Sequence, residues 1–525
     1  MEISKDKTTN ILSHRKNLRF KLIIEGAVVG LITGIIIVLN RLAIDKLFKI
    51  SNGIYSSSKG NPIKIAVIII ILSFLGYLVG VLVKKEPMIS GSGIPQVEGF
   101  LVRKLNINWL RVLINKFIGG VICLGVGLSA GREGPSVQMG AAVGQGFSRI
   151  FKRVNIEEKF LTTSGASAGL AAAFNAPLSG VMFALEETHK NFSPLVLLSA
   201  MSSALTADFV AKRFLGLDPA LNFKGIASLP LKFYWALILL GVLVGISGTI
   251  FNKGILKSQK IYGSFKRMPI EVKTIIPFIV TGIVGVISPI LIGGGHNLIM
   301  SLSENKYVLV TLLLFLVIKF LLVLICFGSG IPGGIFFPLL VLGALVGNIF
   351  GIIVCYSLGV PSIYILTFII LAMAGHFTAI VKAPITGIIL ITEMTGSFDH
   401  MLPLAIVCIF AYITSDLLKS EPIYESLLEN ILKKNGSNFE GNSTTKTLIE
   451  YAVHMGCITE GQLMKDINWP KDCLIVAIKR GGKEIIPRGF TRILSGDYIV
   501  ALVDEDKASS ILEKLDNMCT GLYNN

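Results

Sequence analysis

The sequence predicts an all-α polytopic membrane protein made of two related halves with broken, re-entrant helices, followed by a small C-terminal cytoplasmic α+β domain. Three observations lead there. The 525 residues are 52% hydrophobic and only 16% charged, with a mean hydropathy of +0.71, which is the composition of a chain that spans a bilayer many times. Adding 203 to each number maps 116–147 onto 319–350 without a gap: Lys116, Cys123, Gly125, Gly127, Gly131, Pro135 and Gly144 become Lys319, Cys326, Gly328, Gly330, Gly334, Pro338 and Gly347. A shift of 207 likewise carries Ala176-Pro177-Leu178-Ser179-Gly180 onto Ala383-Pro384-Ile385-Thr386-Gly387, and Glu186 onto Glu393. Third, the apolar, glycine-rich run from Phe117 to Gly146 holds charge only at Arg132 and Glu133. An intramembrane carboxylate costs about 2.5–3.5 kcal/mol and usually has a function. Broken apolar segments at matching places in two halves point to a transport site between them.

In chain order, residues 1–21 carry Lys5, Lys7, Arg15, Lys16, Arg19 and Lys21, too long and too charged a lead for a cleaved signal peptide. They read as a cytoplasmic, amphipathic N-terminal segment. Apolar segments follow at 22–44 and 63–83, and the Ser-, Gly- and Asn-rich stretch Ser51–Asn61 between them reads as a loop. Gly91-Ser92-Gly93-Ile94-Pro95 is the first helix breaker. Ser92 either turns its hydroxyl to a ligand or caps the helix that follows. Gly131-Arg132-Glu133-Gly134-Pro135 is the second breaker. Leu161–Gly180 is rich in Ala, Ser and Gly, which lets helices approach closely. That run ends in Glu186-Glu187. One of these carboxylates faces the interior and the other water, or the helix end simply emerges at the interface.

Further spans are expected near 193–211, 232–252, 273–293, 306–327, 333–356, 361–375, 384–394 and 402–418. Several fall short of the roughly 20 residues needed to cross upright and must be re-entrant or tilted. Gly328–Pro338 is the third breaker and opens a helix at Phe337; Phe336 stands where the first half has Glu133. Backbone N–H groups at helix N-termini favour an anion, whereas a potassium filter would present carbonyls from a TVGYG-like loop, absent here. Tyr424 either donates to a bound anion or is an interfacial aromatic. His189, His296, His376 and His400 read as satisfied interfacial residues near segment ends. The seven cysteines show no CxxC spacing, so neither a metal site nor a disulfide framework is indicated. The net charge of +16 is scattered between apolar segments, which speaks against nucleic acid. Residues 431–448 read as a polar linker and 449–525 as the tail domain, with strands at Cys473–Ile478 and Tyr498–Val503, turns at Gly481-Gly482 and Ser495–Asp497, and a helix at Ala508–Met518.

Over residues 22–430 the chain resembles the CLC family of chloride channels and chloride/proton exchangers, on the three breakers in order, Tyr424 and the internal repeat. The resemblance implies an inverted repeat, a homodimer in the lipid bilayer with one pathway per subunit, and chloride and protons as the transported ions. It implies that Ser92 and Tyr424, with the backbone N–H groups of Ile335 and Phe336, hold a central chloride. Glu133 would be the gating glutamate, with Arg132 and Gly134 framing its site, and Glu187 the inner proton glutamate, supported by Glu186. Lys116 resembles a family lysine near the pathway; a structural pairing is the other reading. Ser92 argues against the fluoride-exporting branch. On Leu474–Ile478, Arg480–Gly482, Ile486–Gly489 and Gly496-Asp497, the tail resembles the C-terminal subdomain of RCK-type (TrkA-C-like) regulators. That implies dimerisation or a small anionic ligand such as a nucleotide, and a prokaryotic source, since eukaryotic relatives mostly carry CBS domains.

The reading this supports is a proton-coupled chloride antiporter of the cell membrane with both termini cytoplasmic. The alternative is a passive chloride channel, voltage- or ligand-gated, in which Glu187 carries no protons. A cation transporter would use the carboxylates but leave three N–H-rich breakers idle. A non-transporting sensor would leave the repeated broken helices unexplained. No nucleophile triad, phosphate loop or metal spacing suggests an enzyme, and no cofactor is called for.

Overall fold

The computed structural model describes residues 3–190, 193–223, 225–304, 307–434, 446–481, 483–504 and 508–520. They fall into two compact units, Met1–Asn435 and Gly436–Asn525. In the first unit, α1 (Ile3–Ser57) is one helix that takes in the basic lead as well as the first apolar run. The expected loop Ser51–Asn61 is therefore mostly helix. Its hydroxyls bond back into their own turns, Ser56 to Asn52 O at 2.9 Å and Ser58 to Ile54 O at 2.7 Å. Buried Tyr55 anchors the end, donating to Val126 O at 2.8 Å.

α2 (Pro62–Lys85) starts on an Asn61 cap that accepts from the Ile63 and Lys64 N–H groups. It faces outward over most of its girth. α3 (Ile94–Leu101), α4 (Trp109–Gly125) and α5 (Glu133–Ile150) follow, each preceded by a glycine breaker or, for α4, an Asn108 cap. α6 (Asn155–Phe174) lies against α5 with backbone touching backbone: a Cβ on Gly140 or Gly165 would strike the other's carbonyl. α7 (Pro177–Phe183) runs on into a π-helical turn, Ala184–His189, and α8 (Pro194–Leu215) closes the half.

The second half holds α9 (Trp235–Ser264), α10 (Ile270–Lys273), α11 (Ile275–Ile287), α12 (His296–Leu302), α13 (Leu309–Gly328), α14 (Phe336–Leu358), α15 (Ile365–Val381), α16 (Pro384–Thr395) and α17 (Met401–Leu417). α18 (Ile423–Lys434) ends the unit. α9 outruns its expected span by a dozen residues because its C-terminal half is polar on the outside yet still packed through Ile255 and Ser258. Among the described residues, eight helices are long and apolar enough to cross a membrane. α3, α7, α12 and α16 are too short to do so. α14 and α15 are buried almost all round and form the core of the unit.

The tail is a four-stranded antiparallel sheet in the order β1-β4-β2-β3, from β1 (Lys446–Ala452), β2 (Cys473–Arg480), β3 (Lys483–Ile485) and β4 (Tyr498–Asp504), with α19 (Ala508–Thr520). The expected linker is shorter than 431–448, since α18 reaches Lys434 and β1 begins at Lys446. Residues 435–445 lie outside the described set, as does Gly482 of the expected turn. β1 and β3 were not foreseen, and the first three residues of β1 fall in the expected linker. Asp497 does structural work: it takes both Arg480 bonds at 2.7 Å and the Leu494 N–H at 2.9 Å. Burial pushes its carboxyl up, but Arg480 and the Leu494 N–H outweigh that and hold it below the usual aspartate range.

Asp497→Ala is expected to cost the tail about 1–3 kcal/mol. Faster hydrogen exchange at β4 amides in the whole chain would show it. The pair's contribution is complete above the unfolded aspartate value of about 3.9 and is lost as pH falls below it through the depressed folded value. Exchange rates at β4 that do not respond to the substitution would contradict this.

Candidate functional site

The three breakers form one structure. Gly91 N donates to Ile331 O at 3.1 Å and Gly333 N donates back to Gly91 O at 3.0 Å. Gly131 and Gly334 exchange both bonds, at 2.7 and 2.8 Å. These two residues are repeat counterparts, and an antiparallel bridge between counterparts is what a two-fold relation of the halves produces. Gly134 fits only as glycine, because a Cβ there would lie 2.7 Å from the Ser92 oxygens. Gly93 holds a φ of 93°, open to glycine, and turns the chain into α3. The N-termini of α3, α5 and α14 thus open beside one knot of loops, each with free N–H groups and the positive end of a dipole.

Two cavities approach this knot. One, of about 310 Å³, is lined by Arg41, Asp45, Arg132, Glu133, His296 and Phe337 among others. The other, of about 430 Å³, is lined by Ser90, Gly91, Ser92, Pro95 and Gln96 together with Leu427, Asn430 and Ile431 of α18. Glu133 bounds the first and Ser92 the second, so access from the two sides ends at different residues.

Glu133 is 1% exposed, and among the described residues its Oε2 has no hydrogen-bond partner. Its own N–H, the Phe337 N–H and the Arg132 and Arg41 guanidinia are the groups that act on its carboxylate. Arg132 also pairs with Asp45 of α1, at 3.3 Å. Tyr424 is fully buried and its hydroxyl also lacks a partner. It lies within electrostatic reach of both Glu133 and Glu187, and its ring meets Phe183, which in turn meets Phe336 at 5.8 Å. The Ser92 hydroxyl is buried, 3.4 Å from the Ile94 N–H, so it sits at the start of α3 and on the second cavity at once. Ile335 and Phe336 are wholly buried at the start of α14. Open N–H groups, two hydroxyls and an unpartnered carboxylate suit a small anion that competes with that carboxylate.

Glu187 is 4% exposed and its Oε1 is unpartnered. It is not a helix end emerging into water. Glu186 has a different place from the expected supporting one. It accepts from the Thr386 N–H at 2.8 Å, the Thr386 hydroxyl at 2.7 Å and the Ile385 N–H at 3.3 Å, capping α16. Its repeat counterpart Glu393 caps α7 in the same manner, through the Leu178 and Ser179 N–H groups at 3.0 and 2.7 Å. Each carboxylate accepts three such bonds, which fixes it to the helix start it caps. The repeat at a shift of 207 was the signal that pointed to this pair.

Lys116 takes the structural reading. Its ammonium donates to Ile89 O at 2.9 Å and Gly91 O at 2.8 Å, and Lys319 donates to Leu291 O at 3.0 Å and Gly293 O at 2.6 Å. Both are fully buried and pin the chain ahead of a breaker. Lys319→Met is expected to cost about 2–5 kcal/mol, since two buried carbonyls lose their donor. A thiol-reactive dye reporting exposure of buried Cys326 on heating would read it as a lower midpoint; an unshifted midpoint would argue against the clamp. The histidines also divide. His376 is no interfacial residue: it is buried within α15 and bonds Leu339 O at 2.8 Å and Ser247 Oγ at 3.2 Å. His296 faces the first cavity. Missed altogether were Asp45, Arg41, Glu98 and Lys190, which belong to no breaker.

Comparisons with known proteins agree with this architecture. Residues 75–416 match the family model described as voltage gated chloride channel, and residues 448–516 match the TrkA-C domain. The H(+)/Cl(-) exchange transporter ClcA of Vibrio parahaemolyticus is 37% identical over 443 residues, covering 82% of this chain and 94% of that protein. ClcA of Citrobacter koseri is 34% identical over 431 residues, covering 81% and 91%. The crystal structure of a slow cyanobacterial Cl-/H+ antiporter superposes with a TM-score of 0.76 at 32% identity, over 79% of this chain and 99% of that one. A eukaryotic CLC transporter shares the fold at a TM-score of 0.63 and 22% identity, over 78% of this chain and 74% of its own. The chain belongs to the voltage gated chloride channel family, with the CLC fold in its membrane unit and a TrkA-C domain in its tail.

Proposed function

We propose that this protein exchanges chloride for protons across the membrane. The observation that carries it is the pair of buried carboxylates, Glu133 and Glu187, each with an oxygen unpartnered among the described residues, both within electrostatic reach of Tyr424. In this reading chloride rests against the Ser92 and Tyr424 hydroxyls and the Ile335 and Phe336 N–H groups, with Arg132 and Gly134 framing the outer position. The Glu133 carboxylate and chloride compete for the same helix N-termini. One proton on Glu133 removes its claim, and Glu187 passes that proton to or from the other side. A passive channel has no need of a second buried carboxylate at Glu187, and relatives named as exchangers favour coupling.

A homodimer with both termini cytoplasmic, in a bacterial cell membrane, completes the reading, as does a small anionic ligand on the tail. The fused TrkA-C match supports the last point. Purified protein in liposomes tests the function: impose a chloride gradient, clamp the voltage near zero, and follow external pH. Proton movement driven by chloride is expected. Chloride flux without it would make the protein a channel.

A further inference from the structure

Lys190 lies three residues after Glu187, at the end of the π-helical turn, with a φ of 53°. Its ammonium bonds Glu98 of α3 at 2.6 Å and also Glu425 of α18. Both helices line the cavity that reaches Ser92: Pro95 and Gln96 from α3, Leu427 and Asn430 from α18. They also carry the two hydroxyl residues at their starts, Ser92 just before α3 and Tyr424 next to Glu425. Lys190 is thus a strut joining two helices that line one cavity, built on the segment that holds Glu187. The charged groups that act on Glu187 are Lys190, Glu98, Glu425 and, more weakly, Glu186, and Lys190 is the cation among them. Glu98 is 4% exposed and keeps one oxygen unpartnered, so its position depends on this ammonium.

We infer that Lys190 is a positioning residue that couples the opening of the Ser92-side cavity to the charge state of Glu187. This rests on the exchange reading above. While Lys190 ties α3 to α18, the cavity walls are held together and its charge is spent on Glu98 and Glu425. When the walls part, those bonds break and the freed ammonium turns to Glu187, three residues away. The Glu187 carboxyl then gives its proton to water at the cavity mouth as the cavity admits chloride. Opening to the anion and release of the proton become one event. A strut of fixed charge does this without moving through the membrane.

The test is coupling in liposomes for Lys190→Met, Lys190→Arg and Glu425→Gln beside the unaltered protein. Lys190→Met is expected to keep moving chloride while protons moved per chloride fall about three- to tenfold, the scale of losing partly exposed ion pairs that bias two states. Lys190→Arg restores most of the ratio, which a mere packing defect would not predict. Glu425→Gln, on a half-exposed carboxylate, folds in any case and should show a smaller fall. An unchanged ratio in both Lys190→Met and Glu425→Gln would overturn the inference. If the unaltered protein moves chloride without protons, the exchange reading is what fails. The strut is then judged on chloride rate alone: a severalfold rise in Lys190→Met supports it and an unchanged rate overturns it.

Discussion

Glu133→Gln is expected to abolish proton movement driven by a chloride gradient, a fall of at least about two orders of magnitude, while chloride still crosses. The amide has the size of the protonated carboxyl but never carries the negative charge that competes for the N-termini of α5 and α14. The exchanger would lose the step at which one proton decides between the carboxylate and the anion. Chloride flux itself is expected to lose the pH dependence that Glu133 confers, because the amide takes up no proton in that range. A variant with coupled transport intact would remove Glu133 from the proton path and leave its burial unexplained.

Glu187→Ala carries the second large effect. Proton movement is expected to vanish to a similar extent, but chloride flux should keep its dependence on external pH, since Glu133 still titrates on its own side. The two substitutions therefore separate: both uncouple, and only one alters the pH response of chloride. Measuring chloride efflux from liposomes at several external pH values distinguishes them. If Glu187→Ala leaves proton transport in place, the inner relay lies elsewhere, with Glu98 the nearest buried carboxylate that bonds a cation.

The arrangement of the site was visible in the sequence to the extent that it depends on backbone. A glycine or proline that breaks a helix inside an apolar run marks itself, and Gly131 and Gly334 turned out to bond each other, with Gly91 bonding Ile331 and Gly333 of the same loop. The repeat also told which residues would be equivalent, and Lys116 with Lys319, and Glu186 with Glu393, obey it. Side-chain partners were less legible. Nothing in Glu98 or Lys190 announces a strut, because the bond joins residues 92 apart in chain order, brought together only by packing. Glu186 looked like a helper of Glu187 because they are adjacent, yet the helix points them in different directions. Ser51–Asn61 failed for the reverse reason: its composition favours a turn, and a tertiary bond from Tyr55 kept it helical through Ser57.

The reciprocal caps have a bearing on how such a chain is made. The first turn of α7 receives its carboxylate from Glu393, 215 residues later than Leu178. Gly131 finds its partner only at Gly334. During synthesis the first half leaves the ribosome with a helix start and a loop whose donors nothing has yet met. It can insert, but it cannot finish. Each half is a mould for the other, so the first half is expected to settle its helix starts only once the second has been made.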